Sequence, residues 1–211
     1  MSGGGDWSPR WFGRHWVPET PREGADAIVQ NFLLHALPIR ITRRALGWLA
    51  TGWLGTITLH LFLVLCLTGG VLLFLYVPSI ERAYQSVKDI EFVVSFGSWI
   101  RGTHRIAAHL MVAAVVLHLV RVFLTGAYKK EGAPGAYRPL NWWVGIVLMV
   151  LTFGLSFTGY LLPWDQLAYW AVTVGTQIAA SVPGIGDDIR VMMLGGDSVG
   201  QPALIRFYVL H

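Results

Sequence analysis

Two of the seven histidines, His104 and His118, lie fourteen residues apart in one apolar stretch. On an α-helix, fourteen residues turn to within about 40° of four full turns and rise about 21 Å. Both rings therefore leave one helix face, one towards each end of a membrane span. Imidazole is costly inside a bilayer unless it is coordinated or hydrogen-bonded. A separation of about 21 Å is too wide for one shared metal ion. The pair reads either as ligands to two stacked metal centres, for which neutral imidazole on haem iron is a standard arrangement, or as two packing histidines.

Glycines repeat the interval. Gly55 and Gly69 are fourteen apart, and so are Gly145 and Gly159. A flat macrocycle can lie against bare glycine backbone. Small residues also ease helix–helix contact, which explains single glycines but not the shared spacing. Arg101 stands three residues before His104 and Arg121 three after His118. They bracket the pair towards the two membrane surfaces, where haem propionates would meet a bidentate guanidinium. Interfacial snorkelling is the alternative. A second axial ligand must come from another helix. His211 opens an apolar segment on the side of His104. A partner for His118 is expected about fourteen residues, or four turns, beyond His211, past the last residue of this sequence. His60 and His109 are each nine residues from a site-facing position (Gly69 and His118). That is half a turn round, so packing, interhelical hydrogen bonds or subunit contact is expected of them. His15 and His35 fall outside the spans, and Cys66 reads as a small buried apolar residue.

The elements that must position these residues are membrane spans. The chain has 211 residues, 54% hydrophobic and 13% charged, with ten Trp. Its mean hydropathy is +0.53. Soluble domains carry about a quarter charged residues. The composition excludes a disordered chain, a disulfide scaffold (Cys66 is the single cysteine) and an ordinary cytosolic domain. No Asp, Glu, Lys or Arg occurs between Arg44 and Glu81 or between Arg138 and Asp165. Crossing a bilayer takes roughly 20 apolar residues. Three spans are expected, at 48–77, 103–124 and 141–162, with a fourth starting near Leu204. The middle one has only 15 residues between Arg105 and Arg121, so those arginines must snorkel or pair. Residues 78–100 and 163–202 are expected as loops. The second carries the turn signals PWDQ, SVPGIG and GGDSVG and a short in-plane helix with an apolar stripe of Leu167, Trp170, Ala171 and Val174.

Residues 26–44 read as an amphipathic helix on the membrane surface. Residues 1–25 read as a retained soluble extension, since no apolar core follows a basic start. The expected fold is an all-α membrane protein: a four-helix haem-binding bundle, with three full spans and the start of the fourth in residues 26–211. Six Arg precede the first span, and Lys129, Lys130 and Arg138 lie between the second and third. The positive-inside rule then puts the N-terminus in the cytoplasm. The net charge of +4 bears on this topology and not on nucleic acid.

The segments THRIAAHLMVAAVVLHLVRVFLTG, GYLLPWDQLAYWAV and SVGQPALIRFYVLH resemble the N-terminal half of the cytochrome b family, with the short b6 form nearest. The resemblance covers about residues 30–211. It implies a subunit of a quinol:cytochrome c (or plastocyanin-type) oxidoreductase with two non-covalent haems b. His104 and His211 would ligate the outer haem and His118 the inner one. Arg101 and Arg121 would pair with propionates, and Gly55, Gly69, Gly145 and Gly159 would pack against haem. Tyr160, Trp164, Ala171 and Val174 would border the quinol-oxidation site.

The family oxidises quinol in a bifurcated reaction. One electron goes to a Rieske iron–sulfur protein and then a c-type cytochrome. The other crosses the membrane through the two b haems to an inner-side quinone. Further implied partners are a C-terminal cytochrome b half or subunit IV, a dimeric complex and the lipid of a bacterial cytoplasmic membrane. The b6 form carries a third, covalent haem on a cysteine early in the first span. Trp53 stands there instead, so no covalent haem c is expected. A diheme b-type anchor linking another oxidoreductase to the quinone pool is the competing reading, and a cofactor-free structural subunit is a third.

Overall fold

The structure, a computed structural model, describes residues 52–128 and 138–211. All the regular elements among them are helices. In chain order they are α1 (Leu54–Leu75), α2 (Ala83–Phe92), α3 (Gly97–Leu124), α4 (Arg138–Leu161), α5 (Gln166–Ala180), α6 (Gly186–Leu194) and α7 (Gln201–Leu210). The extension at 1–25 and the surface helix expected at 26–44 lie outside the described residues.

Three helices are long and apolar enough to cross a membrane: α1, α3 and the 141–161 part of α4. The charge-free runs thus become spans, and the fold is the all-α membrane class expected. Helix α1 is apolar on every side, and none of its residues is buried. Cys66 is exposed on it, contrary to the buried position expected. With no charged neighbour in the span, a small apolar residue costs nothing against lipid.

The loop boundaries need correction. Residues 78–100 contain α2, whose buried Ala83, Ser86 and Ile90 recur at helical spacing within a mostly polar sequence. Helix α3 starts at Gly97, six residues before the expected 103, and has 28 residues. That is about 42 Å, so its first turns project beyond the apolar stretch and carry Arg101 on helix rather than loop. The segment 163–202 holds two helices. Asp165 caps α5, its carboxylate accepting from the Ala168 N–H at 2.8 Å, which satisfies one orphan donor of the first turn. Helix α6 has Asp187 and Asp188 in its first turn and ends on Gly195 at φ 72°, the left-handed C-terminal stop that glycine permits.

The chain divides into two compact units. One comprises Gly55–His118 and Ile146–His211; the other includes Leu119–Gly145. In the first unit the buried core is Leu161, Val172, Leu194, Ala203 and Phe207, drawn from α4, α5, α6 and α7. Phe157 meets Phe207 edge-on with ring centres 6.2 Å apart. In the second, Phe123, Tyr128 and Trp142 form an aromatic cluster, Phe123 and Tyr128 stacked at 5.8 Å.

The buried face of α5 lies beside the apolar stripe read from sequence. Ala168, Val172 and Thr176 are buried, while Leu167 (67%), Trp170 and Val174 (55%) are exposed. Small residues let helices approach closely inside a membrane protein, so the bulky side chains are left facing outwards. Ala171 sits at the edge, partly buried against the core.

Candidate functional site

His104 leaves α3 and His211 follows the last turn of α7. Contacts from Gln201 and Tyr208 fix where α7 lies. The Gln201 side chain donates to the Pro78 carbonyl (2.8 Å) and accepts from the Ile80 N–H (2.9 Å). The Tyr76 hydroxyl donates to the Leu162 carbonyl at 2.6 Å, and its ring lies 5.6 Å from that of Tyr208. Burial pushes the Tyr76 phenol pKa well up, with a further push from Tyr208, so the donor persists across the physiological pH range.

The two rings then come together. Their centres are 6.0 Å apart and their planes cross at 76°. Each has its Nδ1 engaged. Thr68 Oγ1 donates to the Val64 carbonyl at 2.7 Å, leaving its oxygen to accept from His104 Nδ1 at 2.8 Å. His211 Nδ1 donates to the Leu155 carbonyl at 2.9 Å, with Thr158 Oγ1 at 3.4 Å. A protonated Nδ1 leaves the lone pair on Nε2, which is how an outer partner prepares a metal-binding imidazole. The separation would leave room for one metal atom bonded to both rings, at about 2 Å per bond plus about 1 Å from each nitrogen to its ring centre. Among the described residues no three His, Cys, Asp or Glu side chains converge as a site for a bare metal ion. Two histidines alone suit an iron whose remaining ligands belong to a macrocycle. The residues present therefore fit haem.

The glycines prove to face imidazoles. A Cβ on Gly69 would stand 3.2 Å from His104 Cε1, and one on Gly55 3.3 Å from His118 Cε1. A Cβ on Gly159 would collide with His211 Cε1. Only Gly145 departs, facing Leu119 Cδ2 at 3.2 Å. Three of the four spaced glycines thus stand against imidazole rings.

Arg101 Nη1 contacts Glu91 Oε2 of α2 at 2.6 Å. Arg121 is partly buried three residues beyond His118 on α3. His60 is exposed, its Nδ1 bonded to the Thr56 carbonyl of its own helix, and His109 is exposed too, so neither packs inside. The four residues expected at a quinol site differ in burial. Tyr160 and Val174 are exposed, whereas Trp164 and Ala171 pack against the core. Trp164 also holds a left-handed backbone, φ 51°. So does Trp53, φ 51°, at the start of α1. Thr68, Thr158, Gln201 and Glu91 were not singled out from sequence. The one signal for the threonines is that each immediately precedes a spaced glycine.

Residues 45–211 match the family model described as cytochrome b/b6/petB. The chain belongs to the cytochrome b family. It is 48% identical to cytochrome b6 of Heliobacterium modesticaldum over 158 residues, covering 75% of this chain and 71% of the relative. To cytochrome b6 of Synechococcus elongatus it is 46% identical, with the same coverage. A solved structure titled "Hyperthermophilic respiratory Complex III" matches with a TM-score of 0.65 and 30% identity. That match covers 74% of this chain and 41% of the solved one. This cytochrome b chain is accordingly an integral membrane protein of electron transport that binds haem b.

Proposed function

We propose that the chain is the diheme cytochrome b subunit of a bc- or bf-type quinol oxidoreductase, set in a bacterial cytoplasmic membrane with its N-terminus inside. The observation that carries this reading is the His104–His211 pair: ring centres 6.0 Å apart, with both Nδ1 atoms engaged. When bound, two non-covalent haems b supply one-electron carriage between the membrane faces. His104 and His211 hold the outer haem, and His118 holds the inner.

The protein's own contribution is orientation. Thr68 and the Leu155 carbonyl fix ring rotation and tautomer. Gly69, Gly159 and Gly55 clear space for the three rings. Arg101 and Arg121 receive propionates near the two surfaces, where their charges are least costly. The outward stripe of α5, with Tyr160 of α4, offers an apolar border along which a lipid-soluble quinol can approach. A Rieske iron–sulfur protein, a c-type cytochrome subunit and a C-terminal cytochrome b half or subunit IV complete a dimeric complex. The b6 relatives and the Complex III likeness support this assembly.

The test is haem stoichiometry on the purified complex. Pyridine haemochrome analysis should give two extractable haems b per chain, and a haem-stained denaturing gel should show no band at 23.4 kDa. His118→Ala should remove the inner haem and spare the outer. One haem or none in the unaltered complex overturns the reading, and a stained band overturns the non-covalent assignment. A preparation with two haems but no Rieske protein favours the simple membrane anchor.

A further inference from the structure

The Arg101–Glu91 pair is the one ion pair found among the described residues. It links two helices at the outer end of the haem site, and the function above makes no use of Glu91. Arg101 stands on α3 one turn from His104, about 4.5 Å along the axis. Glu91 reaches it from α2 and takes one donor, Nη1, at 2.6 Å. A guanidinium has five N–H donors in a fixed fork, so Nη2 and Nε stay available to a second carboxylate. Both side chains are only 32% exposed, which limits solvent screening. Even a partly exposed pair adds only modest stability, so the consequence of this one lies in the charge it places beside the site.

We propose that Glu91 is a positioning residue for the outer haem, holding Arg101 by one arm and offsetting its charge so that the haem's midpoint potential is lowered. A lone cation beside a haem favours the reduced form, which is one positive charge poorer than the oxidised form. A carboxylate on that cation weakens the preference. It also fixes where the guanidinium sits before any propionate meets it. The inference rests on the diheme reading and on Arg101 as a propionate partner.

The test is an optical redox titration of both haems in the intact complex, with haem content measured in parallel. Glu91→Gln should keep two haems per chain and raise the outer midpoint, leaving the inner one unchanged as an internal reference. Glu91→Asp keeps the charge and should stay nearer to the unaltered protein. Arg101→Gln should move the outer midpoint the opposite way, downwards. A shift with Arg101→Gln but none with Glu91→Gln at full haem content overturns this inference alone. No shift with either overturns the Arg101 assignment as well. Equal shifts in Glu91→Gln and Glu91→Asp would attribute the effect to packing and overturn the charge argument.

Discussion

Gly159 is the tightest of the ring-clearing glycines. A methyl group there collides with the His211 ring, whereas at Gly69 and Gly55 it meets Cε1 at 3.2 and 3.3 Å. Contacts of the second kind can be relieved by a small shift of the ring; the first demands a larger displacement of the His211 side chain. Gly159→Ala should therefore abolish outer-haem binding, while Gly69→Ala should retain most of it with an altered spectrum. Haem content and low-temperature absorption of the purified variants check the order, and a reversed order would reject the ring-clearance account. The histidines and glycines were legible as a pattern in sequence because residues fourteen apart leave one face of a single helix. Thr68 was not. A mid-span threonine bonds its own i−4 carbonyl in any apolar helix, and so does this one. Its second partner lies 36 residues away, where no local pattern can show it. Glu91 was hidden for another reason: its helix reads as loop.

At the scale of elements, charge-free runs gave the spans, since only lipid tolerates such lengths without polar residues. The short helices escaped because their apolar faces are narrow. Helix α2 buries only Ala83, Ser86 and Ile90, of which one is large and apolar. Helix α5 was legible as a helix from its apolar stripe, but the sequence did not show that its small residues Ala168, Val172 and Thr176 are the ones it buries. In this chain the small face packs and the bulky face is outward. The distinction changes which substitution probes quinol access. Ala171→Trp would force an indole into the edge of the core, at a cost of about 1–3 kcal/mol for overpacking. Val174→Trp adds bulk on an exposed position. Val174→Trp should therefore keep both haems, remain reducible through the inner side and lose most quinol oxidation, at least about tenfold, or 1.4 kcal/mol in barrier. Turnover of the variant complex measures this. Unchanged turnover would make the stripe a lipid anchor only.

For the molecule as a whole, burial is unevenly shared. The core gathers where α4 ends and α5, α6 and α7 pack, while α1 has no buried residue. Lipid tails are as apolar as leucine, so no hydrophobic force drives a bare span against its neighbours. Among the contacts between α1 and α3 are the Thr68–His104 hydrogen bond and two glycines set against imidazoles. A cofactor on those rings binds the folded arrangement and not the separated helices, and stabilises it by mass action. In haem-starved cells, membrane levels of the chain should fall several-fold as the loosened state is degraded, and resupply should restore them without new messenger RNA. Immunoblots against a haem-free membrane protein as reference would test this; a constant level would show that the spans hold together unaided.

The bare flank of α1 carries that argument into cell physiology. A span with no buried residue of its own would be retained only while the prosthetic group is plentiful. The amount of electron-transport complex in the membrane would then follow iron nutrition directly. Scarcity would thin the complex by discarding unfilled subunits, with no dedicated sensor protein and no transcriptional signal required.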